Sequence, residues 1–366
     1  MLLACWAVFS LAACSDDTPP DNTQPQKPDG PDEPTVPDDC LVLQKATEGR
    51  GIDLVVLGDG FTQADIESGK WKSAQDSVMK YMFQREPLRS FKHWFNIYAV
   101  TAPYEGPDLS VPIAKGDTVE SHLSIYTSSL LQAEYLKKDS IFIYAYENTP
   151  VKADKGTPKD MLVLMTINST QMWGSFTTYD RFVDRKHWGR ALVPFSVFYR
   201  FTIGMYGHEM MGHGIGDCAD EYVGVGANNE FPWDDPNFGV NWYLSNQREK
   251  GINLNVTFST DPDDEDLFVN RAWAYMAKTN YHGAVGTPVE GAIHCGKKVW
   301  RPTQYSIMVG NQPWVNHWYI NPVQRELILR NLYKLAGKEA EYSLDTFLEY
   351  DKKNEAWDKD QAGTQH

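Results

Sequence analysis

The sequence is poor in basic residues, with 34 Lys and Arg against 49 Asp and Glu in 366 residues and a formal net charge of −15. A surface that binds nucleic acid needs clustered Lys and Arg, so no nucleic-acid partner is expected. The apolar run near the N-terminus, Leu2–Ala13, is too short to span a bilayer as a stable helix. Cysteine is scarce as well, with five in the chain. If Cys14 is acylated, Cys40, Cys218 and Cys295 remain and permit at most one internal disulfide, whose pairing the sequence does not determine.

What the sequence does contain is typical of a packed globular protein. Hydrophobic residues make up 42% of the chain and aromatic residues 13%, including 12 Trp and 19 Tyr. A disordered chain would have far fewer aromatic residues. At this length the chain can bury a sizeable core, in one large domain or in two ordinary ones.

The first 39 residues are predicted to target and tether the protein. Leu11–Cys14 resembles the lipobox of bacterial lipoproteins, which implies a signal peptide over residues 1–13 and acylation of Cys14. Ser15–Asp39 is rich in Pro, Asp, Thr and Gln, and is predicted to be an extended tether. Its first residues, Ser15-Asp16-Asp17, resemble the export signals of surface lipoproteins. We therefore expect a surface-exposed lipoprotein of a Gram-negative outer membrane, which contacts the membrane only through its lipid anchor.

The central part of the chain alternates between strand-like and helix-like patterns. The predicted strands are Ile52–Leu57, Phe95–Val100, Ile141–Tyr146 and Met161–Ile167. The predicted helices are Gln63–Phe83, Thr118–Leu136 and Arg190–Gly212, the last with Pro194 in its first turn. This alternation predicts an α/β (α+β) fold with a mixed sheet.

The chain beyond residue 222 has a different character. Gly224–Gly251 and Thr257–Asp266 are polar and rich in turn-forming residues, which predicts an irregular C-terminal lobe. Asn321–Ala336 is predicted to be a closing amphipathic helix. The expected boundaries are residues 40–340 for a single catalytic domain and residues 341–366 for a polar C-terminal tail.

The stretch "GMYGHEMMGHGIGDCADEY" concentrates metal-binding groups in a chain with only nine histidines. His208, Glu209 and His213 approach the zinc-hydrolase signature H-E-x-x-H, but the histidines are five residues apart instead of four. On an α-helix four residues rotate by about 400°, so histidines at that spacing face one ion. A spacing of five leaves the rings about 140° apart, so a regular helix would not bring both to one metal.

Two arrangements resolve this conflict. A one-residue π-type bulge, helped by Gly212, would direct both histidines to one ion and leave Glu209 free as a base. Alternatively, Glu209 and His213, which are four residues apart, are ligands without the first histidine. We favour the bulge.

A catalytic zinc needs three N or O ligands and an open position for water. The glycines after the second histidine would turn the chain back, and could bring Asp220 or Glu221 to the metal as the third ligand. His294 and Cys295 form an adjacent pair that could bind a second metal, although such a pair is more often structural.

The segment "GHEMMGHGIGDCADEY" resembles the active-site segment of the IgA-peptidase family of zinc metallopeptidases, whose pattern is H-E-x-G-H followed by A-D-E-Y. Gly212-His213 and Ala219–Tyr222 match that pattern, with one residue inserted before Gly212. Three further stretches are similar to parts of the same catalytic domain: "LVVLGDGFT", "FKHWFNIYAV" and "VWRPTQYSIMVG". "LVLMTINST" resembles its edge strand. The similarity extends from about Gly51 to about Gly337.

This resemblance implies a zincin-like, metzincin-like domain with one Zn²⁺ per chain. The implied ligands are His208, His213 and Asp220, with Glu221 as the alternative third ligand, and Glu209 is the implied general base. The remaining implied site residues are Ser306 and Met308 in a Met-containing turn beneath the metal. Apart from the resemblance, Tyr222 and His317 are candidates for stabilising an oxyanion in the transition state.

We therefore expect a zinc metallopeptidase, a hydrolase that cleaves extracellular proteins or glycoproteins as an endopeptidase. An extended substrate is expected to pair with an exposed sheet edge at Leu162–Asn168. The alternative is a non-catalytic surface lipoprotein that binds glycoproteins through aromatic loops on a zincin scaffold. A third possibility is zinc-dependent hydrolysis of a bond other than a peptide bond.

Overall fold

A computed structural model describes most of the chain beyond the tether. The described residues are 39–128, 137–151, 160–169, 179–182, 187–196, 207–224, 227–309 and 319–363. The predicted signal peptide, Cys14, nearly all of the tether and His317 lie outside them. Within these ranges no helix has both the length and the apolar character needed to cross a bilayer. The three cysteines inside them are free thiols.

A six-stranded mixed sheet organises the N-terminal half, as the sequence predicts. The strands of the described residues are β1 Leu41–Gln44, β2 Ile52–Asp59, β3 Phe95–Thr101, β4 Thr118–Glu120, β5 Ile125–Thr127, β6 Asp160–Ile167, β7 Tyr179–Phe182, β8 His187–Ser196, β9 Val289–Ala292 and β10 Cys295–Arg301. The sheet order is β1-β3-β2-β6-β8-β7, with parallel pairing among β3, β2, β6 and β8 and antiparallel pairing at both ends. Two hairpins, β4–β5 and β9–β10, stand apart from it.

Strand β2 is buried along its whole length, because both faces of the sheet are covered. Successive side chains point to opposite faces. Leu54 therefore packs in one apolar cluster with Met210, while Val55 packs in a second cluster with Phe142 on the other side. The first of these clusters is where the candidate site lies.

The described helices are α1 Gln63–Glu67, α2 Lys70–Met82, α3 Leu88–Phe91, α4 Lys138–Glu147, a π-helix Gly207–Ile215, α5 Val240–Lys250, α6 Arg271–Thr279, α7 Pro322–Leu335, α8 Leu344–Asp351 and α9 Glu355–Gly363. Short 3₁₀ turns occupy Lys92–Trp94, Glu339–Glu341 and Lys352–Asn354. The predicted helix Gln63–Phe83 is divided in two, because Gly69 adopts a left-handed conformation with φ of 79° between α1 and α2.

Two predictions in the middle of the chain are wrong. Ile141–Tyr146 is helical, within α4, although its residues favour strands. Its buried side chains are Ile141, Phe142 and Ala145, which follow the spacing of one helix face instead of alternating. Thr118–Leu136 was predicted to be a helix, but its described part forms the β4–β5 hairpin.

Local side-chain bonding explains that hairpin. The Ser121 hydroxyl accepts hydrogen bonds from the backbone N–H groups of Leu123 and Ser124, at 3.1 and 2.8 Å. These bonds close a turn and compete with the helical pattern. The residues of Thr118–Leu136 together favour a helix, and that overall preference outweighed the turn signal of the single serine in the prediction.

The predicted helix Arg190–Gly212 is also wrong at its start. Arg190–Ser196 belongs to β8, in which Pro194 lies opposite Met165 of β6. Strand β7 pairs with His187–Arg190 of β8 and does not reach Pro194. Within the described residues β8 therefore has no partner on that side at Pro194, and the absence of a proline N–H breaks no hydrogen bond there.

The predicted edge strand is central. Strand β6 carries Leu162–Ile167 and pairs with β2 on one side and β8 on the other, so Leu162–Asn168 offers no free edge to a substrate. The sequence cannot distinguish a buried central strand from an apolar edge strand by composition alone.

The C-terminal half is more regular than predicted. Gly224–Gly251, expected to be irregular, contains helix α5. The predicted helix at Asn321–Ala336 is confirmed as α7, whose Asn321 cap accepts the Gln324 N–H at 2.9 Å, but it does not close the chain. The predicted polar tail instead continues as α8 and α9.

Buried ion pairs hold those last helices to the domain. Arg325 of α7 is fully buried and bonds Asp351 at 2.7 Å and Asp358 at 2.6 Å. The two aspartates of this segment therefore neutralise the buried charge of Arg325. Residues 341–363 form part of the folded domain.

Candidate metal centre

The histidine-rich segment adopts a π-helix over all nine residues Gly207–Ile215. The N–H of Gly216, just beyond its end, donates to the carbonyl of Met211, five residues back, at 2.9 Å. In such a helix residues five apart lie one above the other. The rings of His208 and His213 accordingly have centroids 4.8 Å apart. The predicted departure from α-helical geometry is confirmed, and it extends far beyond a single-residue bulge.

Close packing against a methionine accompanies this geometry. A Cβ atom on Gly212 would lie 2.0 Å from the sulfur of Met308, so any larger residue here would require the methionine side chain to move. The structure thus brings the Ser306–Met308 turn directly beneath the two histidines, where the resemblance predicts it.

Each histidine ring is oriented by a backbone carbonyl. His208 Nδ1 lies 2.8 Å from the carbonyl oxygen of Ile307, and His213 Nδ1 lies 2.7 Å from that of Cys218. Because a carbonyl only accepts, Nδ1 carries the hydrogen in both rings, and Nε2 is the nitrogen that would bind a metal once it has lost its proton. A hydrogen bond from the second ring nitrogen is the usual support of metal-binding histidines.

The two Nε2 atoms converge on one carboxylate oxygen. Asp220 Oδ1 lies 3.0 Å from His208 Nε2 and 3.2 Å from His213 Nε2. Ligand atoms bound at about 2.0–2.1 Å around a tetrahedral zinc are roughly 3.3 Å apart, so this N, N, O set fits a zinc ion. Burial would raise the pKa of Asp220, but its hydrogen bonds to His208 and His213 hold it well below the ordinary value.

Glu209 lies beside these groups and is itself buried. One ligand atom each from His208, Glu209 and His213 lie within 4.8 Å of one another. Because His208 shares the Asp220 oxygen with His213, the geometry supports the arrangement with two histidine ligands. In that arrangement Glu209 is not one of the ligands.

Glu221, the alternative third ligand, does not join the histidines. Its fully buried carboxylate accepts hydrogen bonds from Ser306 Oγ at 2.5 Å and from Asn255 Nδ2 and Gln324 Nε2 at 2.9 Å. Burial raises the pKa of Glu221 above its ordinary value, although these bonds oppose the rise. Glu221 therefore connects the Asp220 segment to the turn that carries Met308.

Tyr222 and one unpredicted histidine complete the described site. The ring of Tyr222 lies 6.2 Å from that of His208, and burial followed by the Asp220 and Glu209 charges raises its pKa to about 12. The phenol therefore stays protonated. His294 Nε2 lies 3.6 Å from Asp220 Oδ2, a proximity that the pairing with Cys295 did not suggest. The one sequence signal that could have indicated His294 at this site is the scarcity of histidines in the chain.

A second group of metal-type ligands is structural. His282, Asp351 and Asp358 also bring ligand atoms within 4.8 Å of one another. However, both carboxylates are already paired with the buried Arg325, and His282 Nδ1 bonds Asp358 at 2.7 Å. A metal ion would have to displace the guanidinium. The described metal candidate is therefore the centre at His208.

Comparison with known families agrees with the location of this centre. A family model described as IgA Peptidase M64 matches residues 41–262, more than half of the chain. The match includes the whole sheet, the π-helix and Asp220, and it ends before His294 and Met308. No curated protein sequence matches the chain.

Proposed function

Because the chain belongs to the IgA Peptidase M64 family, we propose that it is a zinc-dependent endopeptidase that cleaves extracellular proteins or glycoproteins. The family makes the chain a peptidase, and the proposal adds the metal, the site residues and the substrate class. The observation that carries it is the convergence of His208 and His213 Nε2 on Asp220 Oδ1, with both Nδ1 atoms bonded to carbonyls. These three residues would hold the zinc.

A zinc ion held there would supply a Lewis acid that acidifies water and polarises a carbonyl. Glu209 takes the proton from the attacking water as its oxygen bonds to the scissile carbon. The carbon–nitrogen bond then breaks, and Glu209 passes that proton to the departing amine. Tyr222, still protonated at neutral pH, would donate a hydrogen bond to the oxyanion in exchange for its hydrogen bond with Asp220.

The test is Glu209→Gln in the full chain, measured as chelator-sensitive cleavage of a broad protein mixture together with zinc stoichiometry. The change removes the base but keeps the shape, so kcat/KM should fall by at least about 100-fold while one zinc per chain is retained. Glu105→Gln, at an exposed glutamate, is the matched control and should remain active. Undiminished cleavage by the Glu209→Gln protein would contradict its role.

The alternative, a binding protein without catalysis, has one observation in its favour. Phe238 is 65% exposed and Trp242 is 38% exposed, with ring centroids 5.9 Å apart. Such a pair could stack on a carbohydrate or an aromatic group. One zinc per chain without cleavage of any peptide substrate, combined with glycoprotein binding lost in Trp242→Ala, would favour this function.

The proposal includes attachment to the outer membrane through an acylated Cys14. Its support is the Leu11–Cys14 tetrapeptide and the Pro- and Asp-rich tether that follows it. Metabolic labelling with palmitate should mark the wild-type chain and not Cys14→Ser. Digestion by an external protease on intact cells would test surface exposure.

A further inference from the structure

His294 lies in a tight turn whose backbone strain falls on its β-branched neighbour Ile293. Strands β9 and β10 are joined by the two residues Ile293 and His294, which follow Ala292 and precede its partner Cys295. Both have positive φ, 50° and 59°. A two-residue turn with two left-handed residues favours Asn and Gly, and a β-branched residue there is an outlier. Such strain is common where a side chain has a functional role.

The same turn is docked on the segment that supplies the proposed ligand. The N–H of Ile293 donates to the carbonyl of Asp220, and the N–H of His294 donates to that of Tyr222, both at 3.0 Å. Arg301, buried at the base of the hairpin, also donates to the carbonyl of Gly291. The turn is therefore fixed relative to the metal centre.

The His294 side chain leaves its ring nitrogens available. The ring packs edge-on against Tyr222, with centroids 4.5 Å apart and planes at 89°, and 57% of the side chain is exposed. Its Nε2 lies 3.6 Å from Asp220 Oδ2, too far for a hydrogen bond. Within the described residues no hydrogen bond to a ring nitrogen of His294 is present. The ring is positioned beside the centre, at ion-pair distance from Asp220 and without a hydrogen bond to it.

We propose that His294 is a catalytic residue of this site, which donates an N–H hydrogen bond to the oxyanion that forms on the scissile carbonyl. This inference rests on the proposed function and adds to it a residue outside the family match. The imidazole only donates the hydrogen bond, so no bond to its ring atoms forms or breaks. The attacking water and the departing amine exchange their proton through Glu209 as described.

The test compares His294→Ala, His294→Gly and His294→Gln in the full chain. Loss of one oxyanion donor reduces kcat by about 10²–10³-fold, so the Ala and Gly proteins should show this loss with little change in KM. The Gln protein, which keeps an N–H donor, should recover part of the rate. Zinc stoichiometry should remain one per chain in all three. The melting temperature of His294→Gly should not fall, because glycine suits the positive φ.

His122→Ala is the matched control. His122 also lies in a hairpin turn, between β4 and β5, and its ring packs edge-on against Tyr144 at 5.2 Å. This variant should keep full activity.

Two results would overturn the role of His294. The first is a kcat of His294→Ala within about threefold of wild type, and the second is loss of zinc, which would make His294 a ligand. Absence of cleavage by the zinc-loaded wild type would instead contradict the proposed function and, with it, this role.

Discussion

Single buried carboxylates in this chain have different tasks, and Asp59 shows one that is unrelated to the metal centre. It lies at the end of β2, fully buried, and accepts hydrogen bonds from Ser121 Oγ at 2.9 Å and Tyr126 OH at 2.5 Å. Burial raises the pKa of Asp59 despite these bonds. Asp59 thus attaches the β4–β5 hairpin to the sheet, and burial favours the protonated form of its carboxyl group.

This preference predicts a pH-dependent stability. The folded state holds the Asp59 proton more tightly than the unfolded state, so the free energy of unfolding falls as pH rises above the ordinary value of 3.8, until the folded carboxyl also ionises. Asp59→Asn removes this loss. Its melting temperature relative to wild type should therefore increase from about pH 4 upward.

Thermal unfolding of the zinc-stripped proteins across that pH range measures the effect. Asp117→Asn, which removes an exposed carboxylate, provides the control and should change the melting temperature little. A difference for Asp59→Asn that shrinks as pH rises would contradict the assignment.

Among the helices and strands, the π-helix is the element on which the site depends, and the sequence predicted it only in part. The five-residue spacing of His208 and His213 excluded a regular α-helix, which was enough to predict a local departure. It could not show that the whole of Gly207–Ile215 would be wound this way. Nor could it show that Met308, about a hundred residues later, packs against Gly212 of this helix.

The strand predictions divide for a similar reason. Ile52–Leu57 and Met161–Ile167 were correct because strands buried on both faces are continuous apolar runs. Ile141–Tyr146 has a similar composition. It packs on one face of the sheet, however, and a helix is as suitable as a strand for that position. Local composition does not determine whether such a segment is a helix or a strand, because the outcome depends on the neighbouring strands.

Gly212→Ala tests the dependence of the metal centre on this helix. The new Cβ would overlap the sulfur of Met308 at 2.0 Å, so the Met308 side chain or the turn that carries it must shift, with an expected cost of about 1–3 kcal/mol in the free energy of unfolding. Because the carbonyl of Ile307 in that turn orients His208, zinc affinity should fall as well. Gly207→Ala is the control in the same helix, since its Cβ would make an ordinary contact of 3.6 Å with Ile307.

Calorimetric zinc titration and thermal unfolding measure both effects. Combining Gly212→Ala with Met308→Ala should restore part of the affinity, because the shorter side chain leaves room. Equal zinc affinity in Gly212→Ala and Gly207→Ala would show that the close packing is not required.

Considered as a whole, the molecule supports its site from the C-terminal end, which the sequence did not reveal. Asn331 of α7 donates to the carbonyl of Ile215 at 2.7 Å and so holds the end of the π-helix. Gln324 of the same helix bonds Glu221. A segment rich in Asp, Glu and Lys after residue 340 was predicted to be a tail because its buried partner, Arg325, is identifiable only from the tertiary structure.

Asp358→Asn tests this support at a distance from the metal. The change leaves Arg325 buried with one carboxylate instead of two, which should lower the free energy of unfolding by about 3–5 kcal/mol. Asp360→Asn, an exposed neighbour in α9, should change it by no more than about 0.5 kcal/mol. Denaturant unfolding of both proteins gives the comparison. Because α7 contacts the π-helix through Asn331, the Asp358→Asn protein should also release zinc at a lower denaturant concentration than wild type. If zinc instead stays bound while the protein unfolds, the C-terminal helices do not support the metal site.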